Sequence, residues 1–306
     1  MEVMYKLFES SWRDDAVVVD KQSGFYAVPE RVREINHVGE NFNVPGPHFC
    51  QPSPQRTPLL LQAGTSKAGK MFAAQHAEVV FVAAHDPRLV AGNIADIRNT
   101  ARDKFGRNPS NIKFLAMLCP VVGKTEADAR AKYEDYMQYA SEEGFFALFG
   151  GWTGIDMAKY GDDEELRYVE SNAMRSAVEG WTSADGPRYT KHTVAEQHAI
   201  GALGARTVGS PAQVASEMPR WVDIADIDGF NLSYAIYPKT FEDVIELLIP
   251  ELRQRGMFWD DYAVPRGTYR ENLYQIAGQK QPLDEHVADK YRWRAGVSQD
   301  EHQIPK

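Results

Sequence analysis

The stretch Pro58-Leu59-Leu60-Leu61-Gln62-Ala63-Gly64-Thr65-Ser66-Lys67-Ala68-Gly69-Lys70 decides how the chain is read. Its first half is a short apolar run, the length of a buried strand rather than of a helix. The turn Gly64-Thr65-Ser66-Lys67-Ala68-Gly69 follows, and a helical pattern runs from Lys70 to about Ala77. Strand, turn and helix in that order make a βα unit. Val79-Val80-Phe81-Val82-Ala83-Ala84 starts a second unit, with Asp86 as N-cap and Pro87 at the first position of a helix reaching about Phe105. A third run spans Ile112 to Pro120, and Thr125 caps a helix extending to about Ser141 with Asp128 at its third position. The fourth run is Phe230-Asn231-Leu232-Ser233-Tyr234-Ala235. Its helix follows Thr240 and ends near Arg255, with Gly256 as the stop.

Near-continuous apolar strands alternating with helices predict a parallel sheet covered by helices. Residues 59–63, 79–84, 112–119 and 230–235 are expected to be its neighbouring strands. Four such units fit half of a (β/α)8 barrel, whose full form takes about 250 residues. A small doubly wound sheet would show the same alternation. Residues 142–209 interrupt the third and fourth units. They begin with the glycine- and aromatic-rich stretch around Phe145, Phe146, Phe149 and Trp152 and end in a helix from about Thr193 to Ala205. An insertion on the strand-exit side of a barrel lies over its mouth, so 145–165 is expected there as a lid. Its aromatics could line a pocket or form ordinary packing. The first 57 residues open with an amphipathic helix (Met4, Leu7, Phe8, Ser11-Trp12) and continue through a Pro/Gly/Asn-rich connection. Residues 263–306 are polar, with little periodicity, and are expected to wrap the surface or fray. The domain reading is therefore 1–275 as a partial barrel and 276–306 as a polar tail.

Composition narrows the function. With 43 acidic against 34 basic side chains the net charge is -9 over 306 residues, which disfavours a phosphate-tracking nucleic-acid binder. Cys50 and Cys119 are the only cysteines, so no disulfide framework or cysteine-rich zinc site is available. No apolar run approaches the roughly 18 residues of a membrane span. A cytoplasmic protein is the expectation. The eight histidines lack zinc spacing, and His192 and His198 fall on different helix faces. No G-x-S-x-G nucleophile elbow is present.

The turn Gly64 to Gly69 is the best candidate for chemistry. Backbone N–H groups at a helix start are unsatisfied, and the helix dipole favours an anion there. Gly64 admits a phosphate to the backbone, Thr65 and Ser66 add hydroxyls, and Lys67 adds charge. The alternative is a capped helix after a flexible turn. The P-loop spacing is absent. Ser210, Pro211 and Gln213 form a second strong helix start, read as a structural capping box. His85-Asp86 sits at a strand exit, a catalytic position in a barrel, although capping explains Asp86.

The segment from Pro45 to Ala84 resembles the flavin-dependent monooxygenases of the nitrilotriacetate and dibenzothiophene-sulfone type, within the bacterial-luciferase-like superfamily. The matching residues are Gly46-Pro47, Ser53-Pro54-Gln55 with Pro58, Leu61-Gln62-Ala63-Gly64-Thr65-Ser66 with Gly69, and Ala77-Glu78 with Phe81. Val208-Gly209-Ser210-Pro211 and Asp228-Gly229-Phe230-Asn231 are also similar. The resemblance runs from about residue 1 to 275. It implies a (β/α)8 barrel and FMN, delivered reduced by a separate flavin reductase and used with dioxygen to oxygenate a small organic substrate. It implies that Ser66 meets the FMN phosphate, with Gly64 and Thr65 in the same loop; the catalytic residues are not identified. The family's N-terminal half has no counterpart here, so a C-terminal half-barrel of four units is expected. Its unpaired edges and an inner face of Leu60, Val80 and Phe81 would need a second copy or a complementing chain. The competing reading is a remnant or partner-binding half-barrel without a full flavin site.

Overall fold

The computed structural model describes residues 1–166, 189–201 and 203–305. Residues 167–188 and 202 of the expected insertion lie outside the described residues. Contacts divide the chain into two units. One comprises residues 1–60, 106–111 and 261–306; the other comprises 61–105 and 112–260.

The first unit has little regular structure. The helix α1 (Glu2–Tyr5) runs into a π-helical turn, Lys6–Ser10. Two small antiparallel ribbons follow, β1 (Val17–Asp20) with β2 (Phe25–Ala27) and β3 (His37–Val38) with β4 (Asn43–Val44). Polar side chains hold this unit together. Glu9 is fully buried and accepts from both the backbone N–H and the hydroxyl of Thr57. Arg270, equally buried, donates to the carbonyls of Gln55, Thr57 and Lys280. The C-terminal segment is packed rather than frayed. Tyr291 stacks on Tyr5 at 5.7 Å, and Trp293 is 0% exposed with the Arg33 guanidinium 4.3 Å above its ring. Isolated anchors of this kind leave no periodic trace in a sequence.

The second unit contains a five-stranded sheet. Its strands are β5 (Leu61–Ala63), β6 (Val79–Val82), β7 (Lys113–Val122), β8 (Ala205–Gly209) and β9 (Gly229–Leu232). Every pairing is parallel: β5 with β6, β6 with β7, and β7 with both β8 and β9. The four strands expected from the apolar runs are all present. The fifth, β8, was not expected, because its residues were read as the end of a helix and the approach to a cap. Gly201, at φ +88°, and Gly204 stop that helix early, so it covers only Lys191–His198. The five residues from Ala205 are then free to pair with Leu118–Val122.

Among the described residues, the helices of this unit comprise those that cover one face of the sheet and two that belong to the insertion. They are α2 (Lys67–His76), α3 (Arg88–Phe105), α4 (Glu126–Met137), α5 (Glu142–Thr153), α6 (Lys191–His198), α7 (Pro211–Ala225), α8 (Lys239–Asp243) and α9 (Ile249–Gln254). On α3 the buried residues Val90, Ile94, Ile97 and Ala101 form one stripe at helical spacing. They pack with Ala73, Ala74 and Trp221 over Val80, Val82, Phe114, Ala116 and Leu118. Strand alternation puts Leu61, Phe81, Leu115 and Met117 on the opposite face, where they remain half-buried or exposed. Val80, expected on that open face, lies beneath the helices and is 0% exposed. Thr125/Asp128 and Ser210/Gln213 form capping boxes, as their spacing predicts.

The insertion has a core of its own, in which Phe145 and Phe149 pack with Ile155, Met157, Leu166, Val194 and Ala195. Phe145 and Phe149 therefore fill this core, and Trp152 stays 36% exposed. His192 ties three parts of it together. Its Nδ1 lies 2.8 Å from Glu142 and its Nε2 3.3 Å from Asp162, which Lys191 also holds at 2.6 Å. Carboxylates only accept, so both contacts require an imidazolium. Glu142 and then Asp162 raise the His192 pKa above its ordinary value.

Two outcomes are expected. The His192 clasp is complete below its unfolded value, about 6.5, and is lost as pH rises through the raised folded value. Amide exchange of 142–153 and 191–198, corrected for intrinsic rate, should accelerate above neutral pH in the native protein and not in His192→Gln. Trp293→Ala should cost about 3–5 kcal/mol in chemical denaturation, because the site cannot collapse around the lost ring.

Candidate active site

The residues singled out in the sequence sit where β5 hands over to α2. Gly64 turns the chain at φ +103°, a backbone conformation that glycine adopts without strain. The Gln62 side chain braces the bend by donating to the carbonyls of Ala63 and Gly64 at 2.8 and 3.0 Å. Ser66 caps α2, which starts at Lys67, three residues earlier than the sequence pattern suggested. Its Oγ accepts from the Gly69 N–H at 3.1 Å. That bond uses the oxygen as acceptor and leaves the hydroxyl proton to be donated outward. Ser66 is solvent-exposed and Thr65 is half-buried.

Three further features suit an anion. The N–H groups of Lys67 and Ala68 have no hydrogen-bond partner among the described residues. No acidic residue stands in the first turn of α2. Gly69 is required sterically: a Cβ there would lie 2.9 Å from the Gly64 carbonyl oxygen and 3.2 Å from Ser66 Oγ. The loop is thus folded tightly over a helix start, with donors facing out. Lys67 is exposed beside it, whereas Lys70 turns away to Asp96 at 2.6 Å.

The exit of β6 carries a second group of polar residues. Asp86 accepts from the Arg88 backbone at 2.9 Å and from its side chain at 2.8 Å, and Arg220 reaches it at 2.8 Å. Hydrogen bonds from Arg88, joined by Arg220, hold its carboxyl far below the ordinary range. It is therefore a cap and anchor, spoken for by two guanidinium groups. His85 is half-buried, and burial pushes its pKa down. Its Nε2 is 3.4 Å from the Tyr189 hydroxyl, and its ring is 6.1 Å from that of His198. These contacts bring the insertion to the C-terminal end of β6. Sequence reading weighed His85 only with Asp86, because nothing local signals Tyr189, 104 positions away. Cys119, on β7, is buried, and burial raises its thiol pKa, so a reactive thiolate is disfavoured there.

Comparison with known proteins places the chain in a family. The family model described as luciferase-like monooxygenase matches residues 16–226. The chain is 45% identical over 263 residues to a dimethyl-sulfide monooxygenase of Hyphomicrobium sulfonivorans, covering 86% of this chain and 55% of that protein. Among solved structures, that of DmoA from Hyphomicrobium sulfonivorans superposes with a TM-score of 0.86 at 41% identity, covering all of this chain and 65% of the other. A riboflavin lyase, RcaE, solved with modified FMN and riboflavin, gives 0.84 at 31% identity over 95% of this chain and 63% of the other. The chain spans just over half to just under two thirds of these relatives. Parallel βα units, the glycine-serine turn after β5 and the match across most of the residues lead to one assignment: the chain belongs to the luciferase-like monooxygenase family.

Proposed function

We propose that the chain is part of a flavin-dependent monooxygenase that takes reduced FMN from a separate flavin reductase and oxygenates a small organic substrate. The observation that carries this reading is the β5–α2 turn, in which Ser66 and the N–H groups of Lys67 and Ala68 converge on solvent with no carboxylate in the first turn of the helix. A phosphate dianion suits such donors: hydrogen bonds to charged groups are the strong class, and the helix dipole adds to them. FMN would be held there through its phosphate by Gly64, Thr65 and Ser66. When bound, the flavin supplies the oxygen chemistry; the protein supplies position and keeps water out. The insertion, read as a lid because its residues meet His85 at a strand exit, would do the excluding.

The half-barrel reading belongs to the same proposal. Among the described residues, β5 and β9 each pair along one edge only. The sheet face bearing Leu61, 45% exposed, and the half-buried Phe81 is left without helices among the described residues. Both features suit a sheet completed by further strands, from a second copy or a complementing chain. A partner-binding half-barrel without a full flavin site is the alternative, and a flavin titration separates the two.

Micromolar quenching of FMN fluorescence supports the flavin reading, and no binding by the folded protein refutes it. Ser66→Ala removes a hydrogen bond to a charged group, worth about 1.5–3 kcal/mol, so FMN affinity should fall roughly tenfold or more. The same change removes a helix cap and should lower stability by about 1 kcal/mol. Unchanged FMN affinity would reduce Ser66 to a cap alone.

A further inference from the structure

We propose that His85 is a positioning residue, the seat on which the insertion rests over the C-terminal end of β6. The inference rests on reading the insertion as a lid. His85 lies three residues beyond the end of β6, past the residues Val80 and Val82 that pack beneath the helices. Two rings of the insertion meet it, and a third backs one of them. The Tyr189 hydroxyl is 3.4 Å from Nε2, and the two rings meet edge-on at 6.1 Å. His198, only 3% exposed, meets His85 edge-on at 6.1 Å from one side and stacks on Phe145 at 6.3 Å from the other. Phe145 in turn packs on Phe149 at 5.7 Å, in the insertion's own core. One side chain at the exit of β6 thus connects, through His198, to the apolar centre of the insertion.

The seat works with a neutral imidazole. Among the described residues, the groups facing His85 from the insertion are a phenol and a second imidazole, neither of them an anion. The neighbouring carboxylate Asp86 is engaged by Arg88 and Arg220. A charged His85 would stand half-buried among rings without a free counter-ion, which burial disfavours. The sign follows: the seat has full strength above the unfolded value, about 6.5, and weakens as pH falls below it. This is opposite to the His192 clasp, which loosens on the alkaline side, so the insertion is held best near neutrality.

The test is hydrogen exchange of the full chain, corrected for intrinsic rate, between pH 5.5 and 7.5. Protection of 142–153 and 191–198 should fall several-fold on acidification of the native protein, while 88–105 stays protected. His85→Asn, which keeps a hydrogen-bonding group but cannot titrate, should retain the pH 7 protection and lose the acid step. His85→Ala should lower protection at both pH values, with 88–105 reporting that the sheet and its helices remain folded. An acid step that persists in His85→Asn, or no step in the native protein, overturns the proposal. No flavin enters this measurement. A chain that shows the step but binds no FMN would refute the flavin reading and leave the seat intact.

Discussion

The backbone of Lys113–Val122 is the constraint on which the second unit depends. This ten-residue strand has its donors and acceptors taken up by three neighbours. Residues 113–116 pair with β6, 115–118 with β9, and 118–122 with β8. A buried strand cannot leave those groups unpaired, since each orphan costs about as much as a lost hydrogen bond. The chain must therefore return from the insertion in time to place Ala205–Gly209 beside Leu118–Val122. The glycines at 201 and 204 permit that return. Gly204 also lies so close to β7 that a Cβ would meet the Met117 side chain at 2.5 Å. Once the strands are aligned in parallel, each β-to-α turn emerges at the same edge, and that edge carries both the Ser66 turn and His85.

What was legible in the sequence followed from local rules. Apolar continuity marked the four strands, because a strand covered by helices has little need of polar alternation. Capping chemistry marked helix starts at Thr125 and Ser210 correctly. At Lys67 the serine cap was present, but two glycines and two lysines obscured the helical pattern, and the start was read three residues late. β8 was missed because Ala-Arg-Thr-Val-Gly carries only one strongly β-favouring apolar residue, Val208. It is a strand because its partner requires one. The first unit was illegible for a related reason. Glu9, Arg56, Arg270 and Trp293 are buried through contacts between residues far apart in the chain, and buried charge is the reverse of what composition suggests.

The candidate site divides in the same way. The turn proposed to bind phosphate is contiguous, so six residues carry its donors, its glycines and its cap. The His85 seat is assembled from the exit of β6, Tyr189 and the end of α6, backed by the start of α5, and no spacing rule joins them. Its neighbour Asp86 shows how a titratable residue at a strand exit can be wholly structural: two guanidinium groups fix its charge and leave it nothing to exchange. His192, by contrast, faces two carboxylates at the surface and holds the insertion in its charged form, whereas the ring beside Tyr189 holds it in its neutral form.

Whether the Ser66 turn recognises phosphate is tested most directly by comparing FMN with riboflavin, which differs only in lacking that group. Titrated under identical conditions, FMN should bind at least about tenfold more tightly, the equivalent of one or more hydrogen bonds to a charged group. The advantage should shrink in Ser66→Ala. Equal affinity for FMN and riboflavin in the native protein would contradict a phosphate cradle at Gly64 to Gly69.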